Sequence, residues 1–450
     1  MSPNVRSIGI SANAPLSIAI IDENGAKQSH DVLEERMLFL CFDLALLKRA
    51  IDQLGLPFPS KVIDVKVELC LLANVIEKRT DISHFNLALH EVALAHQVET
   101  VAPDGGMWLH PCQQINQQAE SNALAIRHSH WVMLLWQKYQ SEINIEQALC
   151  RSHYCHSINE ISGRGFPLDL IAVNQPTSIE EVNCGKELLK VTHQGRCYSP
   201  TKPYATTTGR NSTSSNQHPL SIKASMRKWI KPSKNKCLIH LDFHRQEIGI
   251  AAALSQDKHL LVLYQQGDPY TWLATRCEPA IEFKKAKRLF IAFQYGAKPS
   301  TALSKKMSLP KNIVTYLHTI HQATFKQYWS WTDLVIENAF AEGYLALSDG
   351  WQVKVTKKSS LLSIINWPIQ ATGAQLLRKV VCELGQQGLY PIGLNHDAVL
   401  LECAYEEAIE LANKTKIVMQ ATSRQLLGLE LGVFLDIGQP GQSLLALLEK

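Results

Sequence analysis

The segment LIHLDFHRQEIGIAAAL, residues 238–254, sets two carboxylates at the border of an apolar region. A run with the composition of a strand ends in Asp242, and Glu247 opens a stretch of small apolar residues that is typical of a buried helix. Ionised carboxylates are expensive to desolvate, so their position beside a core needs a compensating interaction. The segment therefore predicts a strand–turn–helix unit whose acids either cap local structure or take part in chemistry.

The composition is that of a soluble globular protein of more than one unit. The chain has 450 residues, of which 46% are hydrophobic and 19% charged, and this length favours two or three separate cores. The net charge of +4 is too small to indicate a nucleic-acid partner without local clusters. Eleven cysteines without paired spacing, and a start that lacks a basic flank and apolar core, predict a cytoplasmic protein with reduced thiols and no membrane segment.

A second acid, Asp397, repeats the arrangement of Asp242 in LYPIGLNHDAVLLEC, residues 389–403. Two short apolar runs flank the polar triplet at 395–397, which predicts a hairpin with the triplet at its turn. If this hairpin lies beside the first strand, the two carboxylates meet and repel each other. Mg²⁺ or Mn²⁺ would remove the repulsion, and two such ions can assist a phosphoryl displacement. Taken alone, each acid is better interpreted as a helix or turn cap, and the surrounding sequence decides between the two interpretations.

The remaining segments give a coarse map of secondary structure. Residues 283–296 predict an amphipathic helix with Lys284, Lys287 and Arg288 on one face. Further expectations are helices around 38–54, over 119–139 and over 369–387, an extended piece at 61–67, polar turn-forming chain over 174–219, and a basic stretch at 223–236.

Four segments accompany the opening one: TTGRNSTSSN (207–216), KRLFIAFQYG (287–296), NWPIQATGAQLLR (366–378) and NHDAVLLE (395–402). Together with LDFHRQEIGIAAALSQD (241–257), they resemble five motifs of the family A DNA polymerases, the bacterial polymerase I type, in that family's order. GDPY at 267–270 is similar to a segment of the same sequence in a phage- or prophage-like branch of this family. Five ordered motifs over about half of the chain are far more specific than any one of them.

The resemblance implies an α+β right-hand polymerase with a reduced thumb, over residues 151–450. The thumb remnant would be residues 157–196. The antiparallel palm sheet would comprise residues 197–255 and 346–450, and the helical fingers would be residues 256–345 between them. Residues 1–150 resemble a shortened, degenerate 3′–5′ exonuclease of ribonuclease H-like α/β fold. The implied partners are primer–template DNA and deoxynucleoside triphosphates, bound by a monomer.

The resemblance also assigns roles to single residues. Asp242 and Asp397 would hold two Mg²⁺ ions, Lys287 would meet the triphosphate, Tyr295 would close over the new base pair, and Glu247 would oppose a ribose 2′-hydroxyl. The remaining candidates are Lys284 and Arg288 for the nucleotide, Arg210, Asn366 and Gln370 for the minor groove, His396 for the primer end, and Arg227 for DNA phosphates.

Three departures from the family pattern qualify this assignment. Phe283 occupies the place of a phosphate-binding Arg; Lys284 or Arg288 would substitute for it, but a point charge does not reproduce a bidentate fork. The thumb segment is short, which predicts low processivity, and the four acids of a proofreading site are not recognisable. A catalytically decayed, DNA-binding prophage remnant is therefore the alternative. A phage-type RNA polymerase is the third reading, and Glu247 argues against it.

A cluster of histidines and cysteines lies outside these motifs. His128, His130, Cys150, His153, Cys155 and His156 fall within thirty residues. Cys150 and His153 have a spacing found in zinc sites, but the set of ligands is incomplete. Partly buried core histidines are the favoured interpretation.

Overall fold

The computed structural model describes residues 5–11, 17–22, 27–28, 37–75, 117–213 and 217–449. The chain divides into two compact units. The first comprises Met1–Arg164 with Pro200–Ala205, and the second comprises Gly165–Ser199 with Thr206–Lys450. In the described ranges, no helix combines the length and the apolar character that crossing a bilayer requires.

The first unit is built on a mixed five-stranded sheet. Its strands are β1 (Val5–Ser11), β2 (Ser17–Asp22), β3 (Lys27–Gln28), β4 (Leu38–Cys41) and β5 (Val62–Asp64), in the order β3-β2-β1-β4-β5. Strand β1 is antiparallel to β2 and parallel to β4, and β4 is parallel to β5. The described helices are α1 (Leu44–Leu54), α2 (Val65–Val75), α3 (Gln117–Tyr139) and α4 (Ile145–Arg164).

Two expectations for this unit were wrong at their boundaries. The predicted helix around 38–54 is a strand, β4, followed by α1, and the predicted extended piece at 61–67 is a three-residue strand followed by α2. All four residues of β4 are buried, and a continuous apolar run has no periodicity that separates a buried strand from a buried helix. Asp43 marks the boundary, because its side chain accepts a hydrogen bond from the Leu46 N–H and caps α1.

The second unit begins with small elements in the segment expected to be a thumb remnant. These are β6 (Phe166–Pro167), α5 (Leu170–Val173), α6 (Ile179–Lys190), β7 (Thr192–His193) and β8 (Arg196–Cys197), and the three strands form a sheet in the order β6-β8-β7. The expectation of turn-forming chain here was wrong for α6. Ser178 caps this helix by accepting from the Glu181 N–H at 3.2 Å, which turns a polar stretch into a helix start.

A four-stranded antiparallel sheet forms the centre of the second unit. Its strands are β11 (Lys236–Phe243), β14 (Gly393–Asn395), β15 (Ala398–Ala404) and β16 (Val433–Ile437), in the order β14-β15-β11-β16. Short strands β9 (Thr201–Lys202, in the first unit) and β10 (Ser212–Thr213) precede it, and β12 (Tyr344–Ala346) pairs with β13 (Gln352–Lys354).

A helical segment is inserted between β11 and β12. Its helices are α7 (Gln246–Ser255), α8 (Lys258–Gln266), α9 (Pro269–Ala274), α10 (Phe283–Gln294), α11 (Thr301–Met307), α12 (Lys311–Thr324) and α13 (Lys326–Glu342). Later in the chain follow α14 (Leu361–Gln386), α15 (Ala408–Leu427) and α16 (Leu444–Leu448). The structure confirms the predicted amphipathic helix as α10, whose buried side includes Ala286 and Phe290.

Close packing fixes α7 against the segment that precedes β16 and against α14. A Cβ at Gly249 would lie 2.5 Å from the Leu431 side chain, and one at Gly373 would lie 2.6 Å from Gln246 Oε1. Larger residues at these glycines would push α7 away from its neighbours. The small residues that follow Glu247 in the opening segment therefore set the position of the first turn of α7.

A buried histidine makes the stability of the second unit dependent on pH. His321 is 1% exposed, and its Nδ1 accepts from the Trp329 indole N–H at 3.1 Å. Burial lowers the pKa of His321 to about 3. Since the unfolded chain protonates near pH 6.5, this histidine stabilises the fold fully above that pH and progressively less as the pH falls towards 3.

We expect acidification from pH 6.5 to 5 to remove about 2 kcal/mol of stability through His321. His321→Gln keeps a hydrogen-bond acceptor but does not titrate, so the loss of thermal stability over this range should be smaller in the variant. Circular dichroism melts at both pH values measure the difference. Burial also lowers the pKa of His218, to about 4, but this residue contributes the same loss of stability in both proteins. Equal losses in wild type and variant would therefore show that His321 contributes nothing to the pH dependence.

Candidate active site

Asp242 and Asp397 meet at one end of the four-stranded sheet. Asp242 is the penultimate residue of β11 and lies opposite Ala398 of β15. Asp397 immediately precedes Ala398, in the turn between β14 and β15, where His396 has a φ of 55°. The structure thus confirms the predicted hairpin and its place beside the first strand.

Burial and mutual repulsion dominate the electrostatics of the pair. Burial raises the pKa of Asp242, and the neighbouring Asp397 charge raises it further. Burial likewise raises the pKa of Asp397. Asp242 Oδ1 is buried without a hydrogen-bond partner. Two carboxylates that repel each other fit a divalent cation such as Mg²⁺, because its charge offsets both of theirs. The cation would also give Asp242 Oδ1 a partner.

Among the described residues, Asp242 and Asp397 are the neighbouring carboxylates that could bind a metal ion at this end of the sheet. Within the described part of the chain, no group of three or more His, Cys, Asp or Glu residues could hold a metal ion. Mg²⁺ commonly takes one or two carboxylates and completes its shell with water and substrate phosphates. The pair therefore suits a cation that binds together with a phosphorylated substrate.

Asp397 lines a cleft of about 330 Å³ in the second unit, and Asp242 neighbours Asp397 without lining the cleft itself. Its lining combines charged, polar and apolar side chains: Arg210, Arg245, Gln246, Glu247, Ile248, Tyr270, Ile291, Gln294, His396 and Asp397. Of the residues selected from the sequence, the cleft brings together Arg210, Glu247, His396 and Asp397. Its size and its mixed lining fit a small charged ligand.

Glu247 is fixed over the cleft by Arg210 and by two consecutive residues at the end of α10. Its Oε1 accepts from Arg210 Nη2 at 3.3 Å, its Oε2 accepts from the Tyr295 hydroxyl, and its backbone carbonyl accepts from Gln294 Nε2 at 3.0 Å. Burial raises the pKa of Tyr295, and the Glu247 charge adds to the effect. Because several donors hold the carboxylate, its bulk and charge have a defined position in the cleft.

Lys287 reaches the site from α10. Burial and Asp397 raise the pKa of Asp242, and the Lys287 charge partly offsets this rise. The Lys287 Nζ lies 5.6 Å from the centroid of the Tyr270 ring. Lys284, Lys287 and Arg288 are all exposed on this helix, and none of them lines the cleft. Of the three cations predicted on this face, Lys287 is the one whose charge acts on Asp242.

The candidates for DNA contact lie at the cleft (Arg210 and His396), on α14 (Asn366 and Gln370) and in a separate 3₁₀ turn (Arg227). Arg210 lines the cleft, and its Nε donates to the backbone carbonyl of Gln370 on α14 at 3.3 Å. Asn366, one turn earlier on α14, has a buried Oδ1 without a hydrogen-bond partner. His396 is exposed at the hairpin turn. Arg227 lies elsewhere, in a 3₁₀ turn beside a small cavity of about 10 Å³.

Comparison with known proteins places this site in a family. The model of DNA polymerase family A matches residues 175–441, more than half of the chain. The chain belongs to DNA polymerase family A. It is 23% identical over 265 residues to the thermostable DNA polymerase I of Thermus aquaticus, a match that covers 53% of this chain and 32% of that protein. It is 27% identical over 269 residues to DNA polymerase I of Aquifex aeolicus, which covers 54% and 45%.

A solved structure agrees with this family in its fold. It is described as the POL domain of Pol1 from M. smegmatis complex with DNA primer-template and dNTP. It aligns with 99% of this family A chain and 96% of its own, with a TM-score of 0.78 and 14% sequence identity. The predicted α+β polymerase fold is thereby confirmed. The chain spans less than half the length of these two curated relatives.

Arg245 and Tyr270 are among the cleft residues that the sequence did not single out as site residues. Both line the cleft, and the Arg245 guanidinium carbon lies 5.4 Å from the Tyr270 ring centroid. The signals were present, since Arg245 lies inside the opening segment and Tyr270 ends the GDPY sequence. Neither stands out without the packing, because arginine and tyrosine are ordinary residues at solvated turns and helix faces.

The histidine and cysteine cluster of the first unit has no metal-site geometry in the described residues. His128 Nδ1 is 2.6 Å from the backbone carbonyl of Ile10, and the His156 ring stacks on Phe58 with centroids 4.3 Å apart. Cys155 is buried. His128 and His156 are partly buried, as the core interpretation expects, whereas Cys150 and His153, the pair with zinc-like spacing, are exposed.

Proposed function

We propose that the chain is a DNA-directed DNA polymerase that adds deoxynucleotides to the 3′ end of a primer. The observation that carries the proposal is the neighbouring pair Asp242 and Asp397, of which Asp397 lines a cleft that also contains Arg210 and Arg245. Acids for divalent cations and cations for phosphates are the two groups of side chains that phosphoryl transfer requires. Membership of DNA polymerase family A supports the same activity.

Asp242 and Asp397 would hold two Mg²⁺ ions, with Mn²⁺ as the alternative. When bound, such ions stabilise the negative charge of the attacking and the leaving oxygens. Lys287 would neutralise triphosphate charge from the side of α10, where its ammonium already acts on Asp242. His396, exposed at the turn next to Asp397, would contact the primer end.

Glu247 would act as the selector of the sugar. Its carboxylate is held over the cleft by Arg210 and Tyr295, so a ribose 2′-hydroxyl would meet both its bulk and its charge. Tyr295, which follows the last residue of α10, would cover the new base pair. The substrate is accordingly a deoxynucleoside triphosphate.

The DNA interface would follow the minor groove of the primer terminus and the phosphate backbone. Arg210, Asn366 and Gln370 are suited to minor-groove acceptors that all base pairs share, so they would check the shape of a pair and not its sequence. Arg227 and the basic stretch at 223–236 would bind phosphates. Only two helices, of 4 and 12 residues, occupy the short thumb segment between β6 and β8, and we therefore propose low processivity.

A decayed, DNA-binding protein of the same fold is the second candidate. Phe283 favours it, because an exposed phenylalanine stands one turn from Lys287 where a further cation would help to hold the nucleotide. Primer extension with deoxynucleotides and with ribonucleotides, by the wild type and by Asp242→Ala, separates the candidates. Extension with deoxynucleotides that Asp242→Ala abolishes supports the polymerase. DNA binding without extension supports the decayed form.

We also propose that residues 1–150 are a degenerate exonuclease-like domain without proofreading. Acids in the described part of this segment are held by the chain's own donors. Asp64 accepts from the Asp43 N–H at 3.2 Å, Lys66 pairs with Asp43 at 3.1 Å, and Arg151 pairs with buried Glu68 at 2.6 Å. Carboxylates that are already paired or capping are poorly disposed to bind a metal ion.

A primer with a mismatched 3′ end is therefore expected to stay at full length when it is incubated with the protein and Mg²⁺ without nucleotides. Denaturing gels of labelled primer measure this. Asp64→Asn should behave like the wild type. Shortening of the primer that Asp43→Asn or Asp64→Asn removes would demonstrate an active excision site and overturn the proposal.

A further inference from the structure

Arg245 occupies a position that local structure alone does not favour for arginine. It lies between β11 and α7 with a φ of 51°, in the left-handed region, which is unfavourable for a residue with a Cβ. It is also the N-cap of α7, yet its side chain makes no capping hydrogen bond. Asparagine or glycine would suit both roles better. The reason for arginine is therefore to be found in its guanidinium.

The guanidinium of Arg245 is held in a defined place at the cleft. Nη1 donates to the Gly267 carbonyl at 3.3 Å, and Nη2 donates to Asp268. Asp268 is itself fixed, because its other carboxylate oxygen accepts from the Thr271 N–H at 2.6 Å at the start of α9. The Arg245 side chain is only 16% exposed. A planar cation that is oriented by a carboxylate and lines a cleft is preorganised for an anion.

Tyr270 relates Arg245 to α10. The Arg245 guanidinium carbon lies 5.4 Å from the Tyr270 ring centroid, the Lys287 Nζ lies 5.6 Å from it, and the Phe283 ring packs edge-on at 5.8 Å. Phe283 and Lys287 are four residues apart and share a face of α10. Two cations from different elements, Arg245 and Lys287, thus lie near the Tyr270 ring, and the third neighbour of this ring, Phe283, is apolar.

We propose that Arg245 binds the phosphate tail of the incoming nucleotide and supplies the guanidinium that α10 lacks at Phe283. The inference rests on the proposed function, since it requires a nucleoside triphosphate in the cleft. Lys287 offers a single flexible point charge, whereas a guanidinium matches two phosphate oxygens at once. Asp268 keeps this fork in place and so acts as its positioning residue. Phosphate binding is thus divided between the turn after β11 and the helix α10.

The test measures nucleotide binding without turnover, by isothermal titration of a deoxynucleoside triphosphate into the complex of the protein with a dideoxy-terminated primer–template. Arg245→Gln is expected to weaken binding about 10- to 100-fold, the effect of losing one charged, hydrogen-bonded contact. Binding of inorganic tripolyphosphate should weaken in parallel, and Arg245→Lys should lose less. The control, Lys306→Gln, removes an exposed cation of α11 and should change neither value.

A second variant guards against simple misfolding. Adding Phe283→Arg to Arg245→Gln places a guanidinium at the same ring and should restore nucleotide binding to within about threefold of wild type. Unchanged nucleotide affinity in Arg245→Gln overturns the inference. So does an equal loss of primer–template affinity that Phe283→Arg does not rescue.

The two proposals fail separately in these measurements. Wild-type protein that binds the nucleotide through Arg245 but never extends a primer overturns the polymerase proposal and leaves the role of Arg245 intact. Primer extension with full nucleotide affinity in Arg245→Gln overturns the role of Arg245 alone.

Discussion

Asp397→Asn is expected to reduce primer extension on the order of 10³-fold or more while the fold remains intact. The amide keeps the shape of the side chain at the hairpin turn but loses the charge that a divalent cation requires. A loss of 10³-fold corresponds to about 4 kcal/mol of transition-state stabilisation, which is within what metal-assisted displacement supplies. Single-nucleotide incorporation under steady-state conditions, with circular dichroism as a check of the fold, measures the effect.

The same variant should lose a second, non-catalytic property. Ligands that bind only the folded state raise its melting temperature, so Mg²⁺ should stabilise the wild type and have little effect on Asp397→Asn. Asp436→Asn is the matched control, since Asp436 lies on neighbouring strand β16 opposite His240 and outside the acid pair. Substantial extension by Asp397→Asn, or an equal loss in Asp436→Asn, would show that the pair at 242 and 397 does not carry the reaction.

The acid pair could be predicted from the sequence because its geometry follows from strand pairing. Once Asp242 ends one strand and Asp397 lies in the turn of a hairpin, adjacent antiparallel pairing in a single register brings them together. The residues of α10 were predicted for a similar reason, since helical periodicity separates exposed Lys287 from buried Phe290. In both cases a local pattern fixes a side chain's direction.

The role of Arg245 could not be predicted in this way, because it depends on contacts between elements. Its ion pair with Asp268 spans the whole of α7 and α8, and Tyr270 joins it to α10. Strand β4 was missed for a different reason, namely that a fully buried strand carries no alternation. Sequence periodicity reports burial on one element at a time and does not report which side chains from several elements share a cleft.

Glu247→Ala is expected to raise the use of ribonucleotides relative to deoxynucleotides by about 10²-fold. The carboxylate now stands over the cleft, held by Arg210 and by the Tyr295 hydroxyl. Removing it opens space for a 2′-hydroxyl and removes a negative charge from its surroundings. Extension with deoxynucleotides should also fall about tenfold, because Arg210 and Tyr295 lose their shared partner. The ratio of kcat/KM for dCTP and CTP opposite the same template base measures the change.

Two further variants separate the contribution of the bulk of Glu247 from that of its charge and its support. Glu247→Gln keeps the volume and loses the charge, so a gain much smaller than that of Glu247→Ala would assign the discrimination mainly to size. Tyr295→Phe removes only the hydroxyl that holds Glu247 and leaves Arg210 in contact with the carboxylate. It should relax sugar selection by less than the alanine variant. If Glu247→Ala discriminates as strongly as the wild type, sugar selection lies elsewhere in the cleft, and Glu247 serves only to anchor Arg210 and Tyr295.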